Sequence, residues 1–158
     1  QRRLLLRNTG AGRFEDMSAK AGAAFTISES GRGAAFGDVD NDGDVDILVG
    51  NDAGPVRLLI NTVGNRQHWV GLRLVGAQVP RDMLGARVGI TQGGGPTRWR
   101  RVRADGSYAS ANDPRVLVGL GAEASPVKVE VRWPDGSSDT WATVATDRWT
   151  TLTQGGGQ

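Results

Sequence analysis

The chain has 158 residues, a formal net charge of +2 and no cysteine. This length allows one or two compact units, and the lack of cysteine excludes disulfides and cysteine-based catalysis. No stretch approaches the ~20 apolar residues that a membrane-spanning helix needs. The 24 glycines and the scarcity of helical patterns favour strands and turns, so we expect an all-β protein.

The first 64 residues contain an internal similarity. Residues 3–10 resemble residues 57–64, and each segment predicts an apolar strand that ends in an asparagine and a glycine turn. A short strand over residues 12–16 and a turn or a single helical turn over residues 17–22 are predicted between them. Such an echo is typical of repeat architectures, in which each unit packs on its neighbours.

An aspartate-rich loop over residues 38–46 separates the two similar segments. Its carboxylates occupy positions one, three, five and nine, as Asp38, Asp40, Asp42 and Asp46. Ca²⁺ takes about six to eight oxygen ligands, so the backbone carbonyl of Asp44 and water would complete the shell. The alternative is an acidic turn, because Asp, Asn and Gly are ordinary turn residues. The regular spacing exceeds what a turn requires, so we predict a calcium loop.

The flanks of this loop differ from those of an EF-hand. An EF-hand has a glutamate at position twelve and a helix on each side. Here position twelve is Val49, and the segments 33–37 and 45–50 are short and apolar with glycines. The sequence therefore predicts strand, loop and strand.

Residues up to Gly64 resemble FG-GAP or VCBS repeats. The resemblance rests on Phe36, Gly37, the aspartate loop and the apolar segment that ends in Gly50 and Asn51. It implies blades of a β-propeller whose loop binds calcium. The implied side-chain ligands are Asp38, Asp40, Asp42 and Asp46, with the carbonyl of Asp44 as a further ligand. Propellers have about four to eight blades, whereas this chain has one blade and the end of another.

After residue 64 the pattern predicts a second domain, over residues 65–158. Alternating apolar residues predict strands over residues 68–75, 84–90, 97–103, 116–120, 127–133, 138–144 and 148–152. Gly-rich and Pro-Asp-Gly turns separate these strands. Short strands at this spacing favour a β-sandwich or a barrel. The overall expectation is a partial propeller-type blade followed by a sandwich or barrel domain.

This second region resembles the ASPIC/UnbV domain over about residues 66–153. The matching segments are 81–88, 106–110, 113–116, 119–121 and 131–136. In that family the domain follows FG-GAP or VCBS repeats in secreted proteins, including relatives of cartilage acidic protein. The resemblance implies no defined catalytic residues.

The sequence favours a non-enzymatic role. His68 is the only histidine, and no G-x-S-x-G nucleophile elbow is present. Four arginines surround Trp99, at positions 98, 100, 101 and 103, but no recognised nucleic-acid motif accompanies them. We interpret them as the solvent face of a strand and expect no nucleic-acid partner.

All five tryptophans fall in the second region, namely Trp69, Trp99, Trp133, Trp141 and Trp149. Tryptophan rings can stack on sugars, which would suit a carbohydrate-binding module. The alternative is that tryptophans on strands fill a core or an interface, and their strand positions favour it.

Calcium sites of weak to moderate affinity function best where calcium is plentiful, which favours an extracellular or periplasmic location. We expect a secreted, extracellular protein whose leader is not part of this chain. Strand edges at residues 2–8 and 56–62 invite pairing with other chains. The leading hypothesis is a secreted, calcium-binding structural protein that forms a homo-oligomer or polymer through strand or edge complementation. The alternatives are a fragment of a larger adhesion or matrix protein and a carbohydrate-binding module, with extracellular proteins or glycans as partners.

Overall fold

A computed structural model describes residues 2–106 and 108–158. The predicted fold class is confirmed: these residues form twelve strands and short 3₁₀ turns, without an α-helix. The strands lie in several open sheets. Within the described ranges, no helix has the length and apolar character to cross a membrane.

The N-terminal unit consists of a hairpin and a three-stranded sheet. Its strands are β1 (Leu6–Gly10), β2 (Arg13–Asp16), β3 (Gly31–Gly37), β4 (Asp46–Asn51) and β5 (Arg57–Leu59). Strands β1 and β2 pair with each other, and β3, β4 and β5 form an antiparallel sheet in that order. Two 3₁₀ turns, Ser18–Lys20 and Ala23–Thr26, connect the hairpin to the sheet.

The prediction of a strand starting near residue 3 is wrong, because β1 begins at Leu6. The backbone N–H of Leu5 donates to Ser18 Oγ at 2.9 Å, and its carbonyl accepts from the N–H of Met17 at 2.8 Å. The guanidinium of Arg3 binds the carbonyl of Ala24 and the carboxylate of Glu29. The backbone of Leu5 therefore finds its partners at the first 3₁₀ turn rather than in a sheet.

The second similar segment is also shorter as a strand than its sequence predicts. Strand β5 ends at Leu59, and the N–H of Asn61 instead donates to Asp46 Oδ1 at 2.8 Å. The strand–loop–strand prediction around the aspartates is confirmed, since β3 ends at Gly37 and β4 begins at Asp46.

The second region is a β-sandwich. Its strands are β6 (His68–Val75), β7 (Arg87–Gln92), β8 (Arg98–Arg101), β9 (Val116–Gly121), β10 (Val127–Arg132), β11 (Ser138–Val144) and β12 (Trp149–Thr153). One sheet has the order β11-β10-β7-β8, and the other has the order β12-β6-β9. Strands β6 and β12 run parallel, and the other neighbours are antiparallel.

Alternating side chains from both sheets build one core. Strand β10 shows the pattern most clearly, since Val127, Val129 and Val131 are fully buried while Lys128 and Arg132 are exposed. Two sheets that each bury one face in this way pack as a sandwich. The sandwich is thus the form that this domain takes, and the barrel alternative does not apply because neither sheet is closed.

The N-terminal unit has almost no apolar core of its own. Among the described residues before residue 65, Val49 is the only buried hydrophobic residue. On one face of the sheet, Leu48 lies opposite Leu58, and their exposed fractions are 44% and 51%. Polar contacts, rather than apolar packing, hold most of this unit together.

The two units touch along the outer edge of β3. The N–H of Phe36 donates to Asn112 Oδ1 at 3.0 Å, and the carbonyl of Phe36 accepts from the N–H of Asp113 at 2.9 Å. The segment that carries Asn112 and Asp113 leads into β9. This pairing brings the aspartate loop, which follows β3 directly, against the sandwich domain.

Candidate metal centre

The aspartate loop wraps around the carboxylate of its first residue. Asp38 is only 3% exposed, and its Oδ1 accepts a hydrogen bond from the N–H of Asp42 at 3.1 Å while its Oδ2 accepts from the N–H of Gly43 at 3.0 Å. Asn41 and Gly43 have positive φ angles of 60° and 95°. These angles turn the backbone tightly enough for successive side chains to face a common centre.

Three of the predicted ligands come together. Each of Asp38, Asp40 and Asp42 offers one carboxylate oxygen, and these oxygens lie within 4.8 Å of one another. Loss of hydration, followed by the negative charges of Asp42, Asp46 and Asp38, raises the pKa of Asp40 above its usual value. The site therefore accumulates negative charge that a bound cation would relieve.

Asp46 is not a member of this three-residue group, and its carboxylate accepts two backbone hydrogen bonds instead. Its Oδ2 accepts from the N–H of Val39 at 3.0 Å, and its Oδ1 accepts from the N–H of Asn61 at 2.8 Å. It is 1% exposed. Asp46 thus ties the start of the loop to the segment after β5, and its role as a direct ligand stays a prediction.

Asp44 is also buried, and one of its oxygens has no partner. Its Oδ2 accepts from the N–H of Asn65 at 3.2 Å, whereas no group in the described chain donates to Oδ1. Burial, followed by the charge of Asp42, raises the pKa of Asp44. A buried carboxylate oxygen without a donor is costly and fits a cation or a proton nearby. The predicted carbonyl ligand at this residue remains untested.

The donor chemistry of the loop fits a hard cation. The three converging donors are carboxylate oxygens, which are the ligands that Ca²⁺ and Mg²⁺ prefer. The side chain of Asn65 holds one of them, since its Nδ2 donates to Asp42 Oδ2 at 2.5 Å. When bound, Ca²⁺ would neutralise these carboxylates and link them through one centre.

Sequence reasoning missed the residues of the sandwich domain that contact the loop. Trp149 Nε1–H donates to Asp38 Oδ2 at 3.1 Å, and Arg115 Nη2 donates to the carbonyl of Asp38 at 2.7 Å. Arg115 belongs to the segment 113–116 that resembles the ASPIC/UnbV domain. That resemblance singles out the segment but does not indicate that Arg115 contacts the aspartate loop. No local pattern around Trp149 points to the loop, because the contact spans 111 positions.

The other tryptophans mostly fill the core or the domain junction. Trp133 is 3% exposed and donates to Asp139 Oδ2 at 2.6 Å, while Trp141 packs on the sandwich core. Trp69 is 7% exposed, and the Trp99 ring contacts two guanidinium groups, those of Arg87 and Arg132, whose Cζ atoms lie 5.6 and 4.5 Å from the ring centroid. These positions favour the interpretation that the tryptophans serve in packing over the interpretation that they form a sugar-binding surface.

His68 lies on the surface of the sandwich domain. Its Nδ1 is 2.7 Å from Asp147 Oδ2, and the other oxygen of Asp147 accepts from the N–H of Trp69 at 3.2 Å. The hydrogen bond from His68 lowers the pKa of Asp147. The pair fixes the turn that leads into β12.

Comparisons with known families agree with this architecture. The sequence model of the ASPIC and UnbV family matches residues 76–158, and that of the FG-GAP-like repeat matches residues 2–49. No curated protein matches the chain. FG-GAP repeats are typical of extracellular proteins and typically bind calcium. The chain therefore belongs to the ASPIC and UnbV family, with an FG-GAP-like repeat preceding the family domain.

Proposed function

We propose that this chain is a secreted, non-enzymatic, calcium-binding structural protein that associates with further copies of itself. The observation that supports calcium binding most directly is the convergence of Asp38, Asp40 and Asp42 within 4.8 Å. Secretion is supported by the FG-GAP-like repeat, since such repeats are typical of extracellular proteins. The ion would have a structural role, because hydrogen bonds tie the loop that would hold it to the segment after β5 and to the sandwich domain.

The thin core of the N-terminal unit makes such an ion important for stability. With Val49 as its single buried hydrophobic residue among those described, the unit gains little from apolar burial. A ligand that binds only the folded state stabilises it by about 2.7 kcal/mol at one hundred times its dissociation constant. Calcium would therefore contribute a substantial share of the stability of this unit.

Self-association is supported by an uncovered apolar sheet face. Leu48 and Leu58 lie side by side on the β3-β4-β5 sheet, and Val56 and Ile60 are also exposed, at 65% and 45%. Strand β5 forms the end of this sheet. Clustered exposed apolar residues and open strand edges favour association. A second copy of the chain would cover both, as a neighbouring blade does in a longer protein.

The calcium role is tested by titration calorimetry and thermal unfolding. The wild type should bind calcium and melt at a higher temperature in calcium than in chelator. The double substitution Asp40→Ala and Asp42→Ala should weaken binding and remove most of that difference. Asp105→Ala, at an exposed carboxylate outside the loop, is the control. Equal melting of the wild type with and without calcium would refute a structural ion.

Self-association is tested by light scattering coupled to size exclusion, in calcium, over a range of concentrations. Leu48→Ser with Leu58→Ser should shift the protein toward monomer. Val79→Ser, which changes a 58% exposed residue outside this sheet, should leave the mass unchanged. A monomer at every concentration would contradict self-association and favour the alternative in which other blades of a longer chain cover the face. Intact mass of the native protein then identifies that case.

A further inference from the structure

We infer that the sandwich domain supplies two positioning residues of the metal centre, Trp149 and Arg115, so that cation binding and docking of the two units are coupled. This inference rests on the calcium binding proposed above. It adds that the affinity of the loop is set partly by side chains from the ASPIC/UnbV domain. The loop alone would then bind the ion more weakly than the intact chain.

The first coupling contact fixes a carboxylate at the site. Oδ2 of Asp38 accepts from Trp149 Nε1–H at 3.1 Å and from the N–H of Gly43 at 3.0 Å. The first donor comes from β12 of the sandwich, and the second comes from the loop. Asp38 is nearly fully buried, so its carboxylate cannot reorient toward water. The direction in which its oxygens face is therefore determined by both domains.

The second coupling contact fixes the loop backbone. The guanidinium of Arg115 donates through Nη2 to the carbonyl of Asp38 and through Nη1 to Asn41 Oδ1, both at 2.7 Å. Its Nε donates to Asp113 Oδ2, also at 2.7 Å. The fixed fork of arginine holds such partners in one geometry, which a lysine cannot reproduce. Arg115 thus spans the loop and the segment that docks on β3.

The ring of Trp149 connects these two coupling contacts. The Cζ of Arg115 lies 4.0 Å from the centroid of the Trp149 ring. The ring of Trp149 lies 5.8 Å from that of Trp69, and Gly43 of the loop lies against Trp69. A displacement of Trp149 therefore affects both the side chain and the backbone of Asp38.

Such an arrangement produces reciprocal coupling. Side chains that hold a metal ligand in place typically change metal affinity by about 10–100-fold when they are replaced. By thermodynamic linkage, an ion that binds better to the docked loop favours docking by the same factor. If the contact were purely structural, its loss would lower the stability of the calcium-bound and calcium-free chains equally and would leave the calcium affinity unchanged.

The test measures the calcium dissociation constant of the full chain by titration calorimetry. Trp149→Phe keeps an aromatic ring and removes the N–H donor, and we expect affinity to fall by about 10–100-fold. Arg115→Lys keeps the positive charge and removes the forked guanidinium donors, and we expect it to lower the calcium affinity as well. Trp99→Phe and Arg132→Lys are the matched controls, since this pair stacks in the same way, at 4.5 Å, away from the loop.

The outcomes separate the two proposals. If the wild type binds no calcium, the proposed calcium role fails and the coupling fails with it. If the wild type binds calcium and the two loop-facing variants, Trp149→Phe and Arg115→Lys, bind it with wild-type affinity, the coupling alone is overturned. Should Trp149→Phe fail to fold, as judged by circular dichroism, Arg115→Lys decides the question. Weaker binding by the loop-facing variants, with unchanged controls, supports the coupling.

Discussion

Gly43 lies directly against the indole ring of Trp69, where the aspartate loop meets the sandwich domain; a β-carbon at this position would overlap the ring. Gly43 is buried and has a φ of 95°. The same residue therefore makes the turn of the loop and permits its close approach to β6. Burial of Trp69 beneath the loop, and of Gly71 against the rings of Trp149 and Trp69, explains why β6 is buried at successive positions from residue 69 to residue 72.

We predict that Gly43→Ala is more damaging than an alanine at another glycine of similar backbone conformation. Gly136 has a φ of 90°, and a β-carbon added there would have nothing within 4 Å, so Gly136→Ala costs only the backbone strain of about 1–2 kcal/mol. Gly43→Ala must also push the loop away from Trp69, and it should lose more stability and bind calcium more weakly. Urea unfolding and calcium titration measure both effects. Equal losses for the two variants would show that contact with Trp69 is unimportant.

The ion cluster at Glu29 predicts a specific pH dependence. Hydrogen bonds from Arg57 and then Arg3 lower the pKa of Glu29 from 4.5 to about 2. Because the pKa in the folded state is below that of the unfolded chain, the charged carboxylate stabilises the fold above pH 4.5, and this contribution is lost as the pH falls toward about 2.

We therefore expect Glu29→Gln to be less stable than the wild type at neutral pH, with a difference that shrinks between pH 4.5 and about 2. Thermal unfolding of both proteins across this range, in identical calcium concentrations, measures that difference. Glu15→Gln, at an exposed position on β2, should follow the wild type throughout. A difference that stays constant down to pH 2 would mean that the charge of Glu29 is not what stabilises the unit.

Two leucines are expected to respond in different ways to truncation. Leu72 is fully buried in the sandwich core, whereas Leu58 is 51% exposed on the N-terminal sheet. Leu72→Ala should cost about 2–5 kcal/mol through lost burial and a residual cavity. In dilute monomer, Leu58→Ala should change stability by less than about 0.5 kcal/mol. Denaturant unfolding at low protein concentration compares them, and a large cost at Leu58 would indicate that this face is already covered.

Local sequence patterns predicted most of the strands because their cause is local. The alternation of apolar residues over 127–133 follows directly from the two-residue period of a strand with one buried face, and β10 forms there. The prediction failed over residues 3–5, where the apolar Leu4 and Leu5 suggested a strand but the backbone of Leu5 found partners at Ser18 and Met17. Which partner a backbone group finds is not encoded in its own segment.

By itself, the sequence determined the class of the fold, the two family resemblances and the spacing that brings Asp38, Asp40 and Asp42 together. The aspartates converge because they are close together in the chain, where their spacing sets the local geometry. Only the tertiary structure revealed that Trp149 and Arg115 hold the loop from the other domain. These contacts join residues 111 and 77 positions apart, and they exist because pairing along β3 places the loop on the sandwich.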